Sequence, residues 1–191
     1  MSARWPAWMT APRFMPLAGV FIGALGGAAY WLCALIWPAS IAVILSMLAT
    51  APFFTLPRPQ PGAAATVFAV LVKYNVLMAL SAANLPFATP ANLALGMIMI
   101  AGHACSLALV VASRPASHAD LGVALAIGFA PAALIGIPGL VGLVAAIVAR
   151  MAFIAYVKRN RPGVTDTEID ITRQLTEVCF YLGALASWAF I

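Results

Sequence analysis

Acidic side chains are almost absent from this chain. Asp120, Asp166, Glu168, Asp170 and Glu177 are the whole supply, and Lys and Arg together number 10 in 191 residues. Charged residues make up 8% of the sequence, against about 25% in an ordinary soluble domain. That scarcity excludes a soluble fold with a charged exterior. The polar face that a soluble helix shows at each turn is missing as well, for example over 41–47 and 141–148. Cysteine is sparse: Cys33, Cys105 and Cys179 lie in separate apolar runs with no CxxC spacing. This excludes a disulfide framework or a cysteine metal cluster, and the three thiols read as small buried apolar groups. No polar stretch is long enough to bury a core of its own, so a single integral membrane domain over 1–191 is expected.

What the chain does have is apolar runs, with 64% hydrophobic residues overall. They cover 16–37, 39–57, 63–85, 91–113, 119–137, 139–157 and roughly 174–191. Each is near the roughly 20 residues that a helix needs to cross a hydrocarbon core. The cations between the runs fall in alternate gaps: Arg4 and Arg13; Arg58; Arg114; then Lys158, Arg159, Arg161 and Arg173. The intervening gaps, at Pro38, 86–90 and Pro138, carry no charge. Retention of Lys and Arg on the cytoplasmic side sorts charges in this way. The expected fold is an all-α, polytopic transmembrane helix bundle of about seven spans, with the N-terminus in and the C-terminus out. The run after Arg13 is too long for the apolar core of a signal peptide, so it reads as a retained first span. A net charge of +5 fits topological retention and attraction to the lipid bilayer. No basic stretch is interleaved with aromatics, so no nucleic-acid partner is expected. A homo-oligomer is compatible with the sequence.

Within the runs, Gly19, Gly23 and Gly27 recur every four residues and give one smooth helix face for close packing. Pro131 lies inside the fifth run, where a kink is expected. Lys73 and His103 sit halfway along the third and fourth runs. A lone lysine at the bilayer centre costs about 2.5–3.5 kcal/mol on insertion scales, so Lys73 should face the interior. On that view Lys73→Met leaves folding intact or improves it. His103 has two readings, a hydrogen-bonded tie between helices or a functional group. Arg150 interrupts the sixth run near its expected cytoplasmic end, from where its stem can snorkel to the interface.

Four of the five acids fall within 166–177. Asp166, Glu168 and Asp170 alternate, which would align them in an extended loop. Asp170 and Glu177 would share a face if helix began there. Hard cations such as Mg²⁺ take carboxylate oxygens together with substrate phosphates. An acidic loop that merely offsets Lys158, Arg159 and Arg161 explains the same pattern.

The stretch from Arg13 to Gly26, continuing to Leu32, resembles the opening span of the cobalamin synthases, the adenosylcobinamide-GDP ribazoletransferases. Leu71 to Tyr74 is similar to that family's Leu-Leu-Lys-Phe/Tyr stretch, and Gly102 to Ser106 to its Ala-His-x-x-Ser. Gly163 to Glu177 runs without gaps along the family's G-Y-T-G-D-x-L-G-A-x-x-Q-x-x-E block, keeping Gly163, Thr165, Gln174 and Glu177. The resemblance implies a Mg²⁺-dependent transferase of the bacterial inner membrane with its active side cytoplasmic. It would join α-ribazole, or its 5′-phosphate, to adenosylcobinamide-GDP with release of GMP. Lys73 and His103 are then the expected catalytic residues. Arg58, Thr165 and Gln174 would bind substrate, and Asp166, Glu168, Asp170 and Glu177 would hold the metal. The chain departs from the family in the loop over 53–62, which has no carboxylate where the family carries H-x-D-G-L-A-D-x-x-D. The family's aspartate position in the later block is Thr167 here. The alternative is a non-catalytic or truncated relative acting as a membrane scaffold or partner-binding protein.

Overall fold

The computed structural model describes residues 11–51, 63–82, 91–160 and 165–188. A 3₁₀ turn at Pro12–Phe14 leads into seven α-helices: α1 (Met15–Ala34), α2 (Ala39–Thr50), α3 (Ala63–Ala82), α4 (Ala91–Val111), α5 (His118–Leu134), α6 (Ile137–Asn160) and α7 (Asp166–Trp188). No strand occurs among the described residues. The local sequence explains where helices start and turn. Proline opens α1 and precedes α2, positions where its missing N–H costs nothing. Ser117 caps α5 by accepting from the Asp120 amide at 3.1 Å. Gly136, at φ 81°, makes the left-handed turn between α5 and α6 that a side chain would strain. Helix α5 runs on through Pro131.

Among the described residues, three helical stretches are long and apolar enough to cross a membrane: Pro12–Ala34, Leu93–Val111 and Ile137–Asn160. This is fewer than the seven expected from the apolar runs. Helix α2 has 12 residues, or about 18 Å at 1.5 Å per residue, against a core of about 30 Å. Helix α5 has 17 residues. Helix α7 is long, but it begins at Asp166 rather than near Gln174, so Asp166, Glu168, Asp170, Arg173 and Glu177 are all helical.

Helix α4 is the hub. Its spanning stretch is 89% buried, whereas the spanning stretch of α6 is 17% buried. Leu140, Val144, Val148 and Met151 of α6 are exposed. A broad apolar exterior of this kind is costly in water and matched to lipid. Against α4, α1 runs antiparallel with its glycines on the contact. A Cβ added at Gly19 would lie 2.8 Å from the Ala104 Cα, and one at Gly27 would lie 2.8 Å from the Gly96 Cα.

The ends of the helices bear on the charge pattern. Arg114, just past α4, lies 3.9 Å from Asp166 at the start of α7. Arg150 of α6 donates to the Leu109 and Ala112 carbonyls at the end of α4, at 3.1 and 2.5 Å, and to the Ser113 hydroxyl. With α1 antiparallel to α4, Arg13 belongs to that end too. Three of the four cationic gaps therefore share one end of the bundle; Arg58 of the remaining gap lies outside the described residues. The Arg150 side chain reaches toward that end of the bundle. It caps the last carbonyls of α4, where a cation meets the negative end of the helix dipole.

Candidate functional site

Three helices deliver ionisable side chains to one buried point. Lys73 comes from the middle of α3, His103 from the middle of α4, and Glu177 from the middle of α7. The Lys73 Nζ lies 2.5 Å from Glu177 Oε1, and the His103 Nε2 lies 3.3 Å from the same oxygen. Tyr181, one turn beyond Glu177, donates its hydroxyl proton to that oxygen at 3.0 Å and also contacts His103 Nδ1 at 3.0 Å. His103 Nδ1 is in turn 2.9 Å from the Met99 carbonyl. The Lys73 ammonium sits 5.9 Å from the centre of the Tyr181 ring.

The local sequence places each group. Glu177 and Tyr181 are i and i+4 on α7 and so share a face. Gly102 makes room for the Tyr181 ring, because a Cβ there would lie 2.8 Å from Cζ and 2.9 Å from the hydroxyl oxygen. Arg173, one turn before Glu177, is buried and lies within electrostatic reach of Glu177 and Asp170. His103, Glu177 and Tyr181 are nearly inaccessible, while the Lys73 side chain keeps 13% of its surface exposed. Lys73 is thus the most exposed member of the cluster. Such a cluster is expensive to bury unless its charges pair, and here they do.

Of the residues singled out in the sequence, the structure brings Lys73, His103 and Glu177 together. Arg58 lies outside the described residues. Thr165 and Glu168 engage each other in a capping box at the start of α7. The Thr165 amide donates to Glu168 Oε2 at 2.6 Å, and the Glu168 amide faces the Thr165 hydroxyl at 3.4 Å. Gln174 is half-buried beside Arg173.

The four carboxylates expected to hold Mg²⁺ do not form a set. On one helix, Asp166 and Glu177 are three turns apart, about 16 Å. Asp166 faces Arg114, Glu168 caps the helix, and Glu177 already holds the Lys73 ammonium. Among the described residues, no three His, Cys, Asp or Glu side chains come together as a metal site. The alternation of Asp166, Glu168 and Asp170 would align them only in an extended chain, and the chain there is helical.

Tyr181 and Arg173 are the members of the cluster that sequence reasoning does not single out. Their spacing of four residues either side of Glu177 is the available signal.

A stretch of 46 residues is 48% identical to the adenosylcobinamide-GDP ribazoletransferase of Leptothrix cholodnii (strain ATCC 51168 / LMG 8142 / SP-6). It covers 24% of this chain and 17% of that protein's length. The link is partial and at the level of the family. No family model matches the chain, and no solved structure matches it.

Proposed function

We propose that this chain is a membrane transferase of late cobalamin synthesis, joining α-ribazole or its 5′-phosphate to adenosylcobinamide-GDP with release of GMP. One observation carries the reading. The three sequence stretches similar to the cobalamin synthases, around Leu71–Tyr74, Gly102–Ser106 and Gly163–Glu177, are far apart in the chain. Each supplies one side chain to a single buried cluster, Lys73, His103 and Glu177. Packing alone does not require ionisable groups at mid-helix, and their burial there is costly.

In the proposed reaction, a hydroxyl oxygen of the ribazole attacks a phosphorus of the pyrophosphate and loses its proton as the bond to GMP breaks. Lys73, the most exposed member of the cluster, meets the phosphate oxygens and offsets the charge developing on the leaving group. The His103–Glu177 pair lies behind it, where a proton can be held. The carboxylates of α7 are given no metal step, because they do not converge. In this reading the bundle sits in the bacterial inner membrane with Arg13, Arg58, Arg114 and Lys158 on the cytoplasmic side. Reporter fusions after Arg114 and Arg161 then read as cytoplasmic, and an external signal at Arg161 overturns that orientation.

A second reading, a non-catalytic relative acting as a membrane scaffold, is favoured by the dispersed carboxylates. The two separate in one assay. Membranes containing the full chain are supplied with adenosylcobinamide-GDP, α-ribazole and Mg²⁺, and GMP and the corrinoid product are followed by chromatography. The transferase reading expects product from the unmodified chain and at least a hundredfold less from Lys73→Met. No product from well-folded unmodified protein leaves the scaffold reading standing alone.

A further inference from the structure

We infer that Tyr181 is the positioning residue of this cluster, its hydroxyl bridging Glu177 and a His103 imidazole that carries its proton on Nδ1 and turns Nε2 toward Glu177. Two independent contacts force that assignment. The Met99 carbonyl, 2.9 Å from Nδ1, can only accept, so a bare Nδ1 would place two lone pairs against each other. The Tyr181 hydroxyl has a single proton, and it is directed to Glu177 Oε1 at 3.0 Å. Toward Nδ1, also 3.0 Å away, the same hydroxyl must therefore accept. Both neighbours of Nδ1 call for a proton on it.

The consequence falls on the other ring nitrogen. With Nδ1 protonated, Nε2 is the atom that takes up or releases a proton, and it faces Glu177 Oε1 at 3.3 Å. A proton taken up on Nε2 would lie between the Glu177 carboxylate and the ring, beside the Lys73 ammonium. Tyr181 fixes both partners at once, by accepting from Nδ1 and by donating to the carboxylate oxygen that faces Nε2. Its ring is held in turn against Gly102. The charged and titratable groups around His103 are Lys73 from α3 and Arg173, Glu177 and Tyr181 from α7. Toward α1, His103 presents its backbone to Gly19.

This inference rests on the reading of the cluster as the reactive point, but its test needs no turnover. The chain has two histidines, and His118 is exposed at the start of α5, so it serves as an internal reference. The full chain is labelled with ¹⁵N-histidine, purified in detergent, and its imidazole nitrogen shifts are measured. The expected spectrum has His103 Nδ1 protonated as a single species, unlike the mixed tautomers of exposed His118. Tyr181→Phe keeps the ring that packs on Gly102 and removes the hydroxyl. Nδ1 is expected to keep its proton, because the Met99 carbonyl still accepts it, while both His103 nitrogen signals shift on loss of the hydroxyl and helix content is retained. A bare Nδ1 in the unmodified protein overturns the inference even if the variant does not fold. So does a Tyr181→Phe spectrum identical to that of the parent. Either result leaves the transferase assay untouched, and a failed transferase assay leaves the tautomer assignment standing.

Discussion

On one face of α4, the glycines of α1 let backbone meet backbone, and the contact is made by main chain and small residues. On another face, His103 meets Glu177 and Tyr181 of α7, with Lys73 of α3 closing the group. The first contact is what helix association in lipid ordinarily uses, since hydrocarbon offers no hydrophobic drive and close packing must supply the attraction. The second face does the same joining with charges that must each be desolvated. Buried ion pairs gain little or nothing over well-packed apolar residues of similar volume. A bundle that can build the first kind of contact has no packing need for the second. The difference is what the proposed reading expects, with Lys73, His103 and Glu177 serving the chemistry and the glycine seam serving as the scaffold that holds them.

The largest expected effect breaks the polar face. Glu177→Leu removes the acceptor shared by Lys73, His103 and Tyr181, and leaves a buried cation without its partner. Loss of one member of a buried pair costs about 3–5 kcal/mol. Thermal or denaturant unfolding in detergent should show it as a large drop in midpoint. Lys73→Met alone should also destabilise. This reverses the expectation for a lone intramembrane charge, because Lys73 is bonded to Glu177 at 2.5 Å. The double variant, Lys73→Met with Glu177→Leu, should recover most of the loss. If Glu177→Leu unfolds like the parent, the cluster contributes nothing to the bundle and the contrast between the two faces of α4 fails.

About half of the polar face is legible in the sequence. Lys73 and His103 stand out because an ionisable group inside an apolar run is expensive and so needs a reason. Glu177 stands out because acids are so few. Tyr181 does not, since a tyrosine in an apolar run has many uses and one partner of its hydroxyl, His103, lies 78 residues away in sequence. The dispersal of the acids is written locally, but two local patterns compete. Thr165 and Glu168 have the spacing of a capping box, which marks a helix start at Asp166. The period-two pattern of Asp166, Glu168 and Asp170 points to an extended chain instead, and the cap wins. Arg150 is hidden for a different reason. Its partners are main-chain carbonyls of α4, and a backbone acceptor leaves no mark in the sequence. The apolar runs locate the helices, and the second run is helical over Ala39–Thr50 among its described residues.

The glycine seam offers a finer test, because the chain also contains a glycine with no such neighbour. A Cβ at Gly23 would lie 2.6 Å from the Met99 carbonyl oxygen, on a backbone that cannot move aside. Gly23→Val should therefore push α1 away from α4 and cost about 1–3 kcal/mol, the usual range for overpacking a tight contact. Gly122 of α5 is exposed and would meet nothing within 4 Å. There the only consequence of a methyl group is a lower backbone entropy in the unfolded chain and a better helix former in the folded one. Gly122→Ala should stabilise by at most about 1 kcal/mol. The two changes add a side chain to a glycine in the same bundle, and they should move the unfolding midpoint in opposite directions. If Gly23→Val is as harmless as Gly122→Ala, the α1–α4 contact is not close-packed. The contrast drawn between the two faces of α4 would then lose its apolar half.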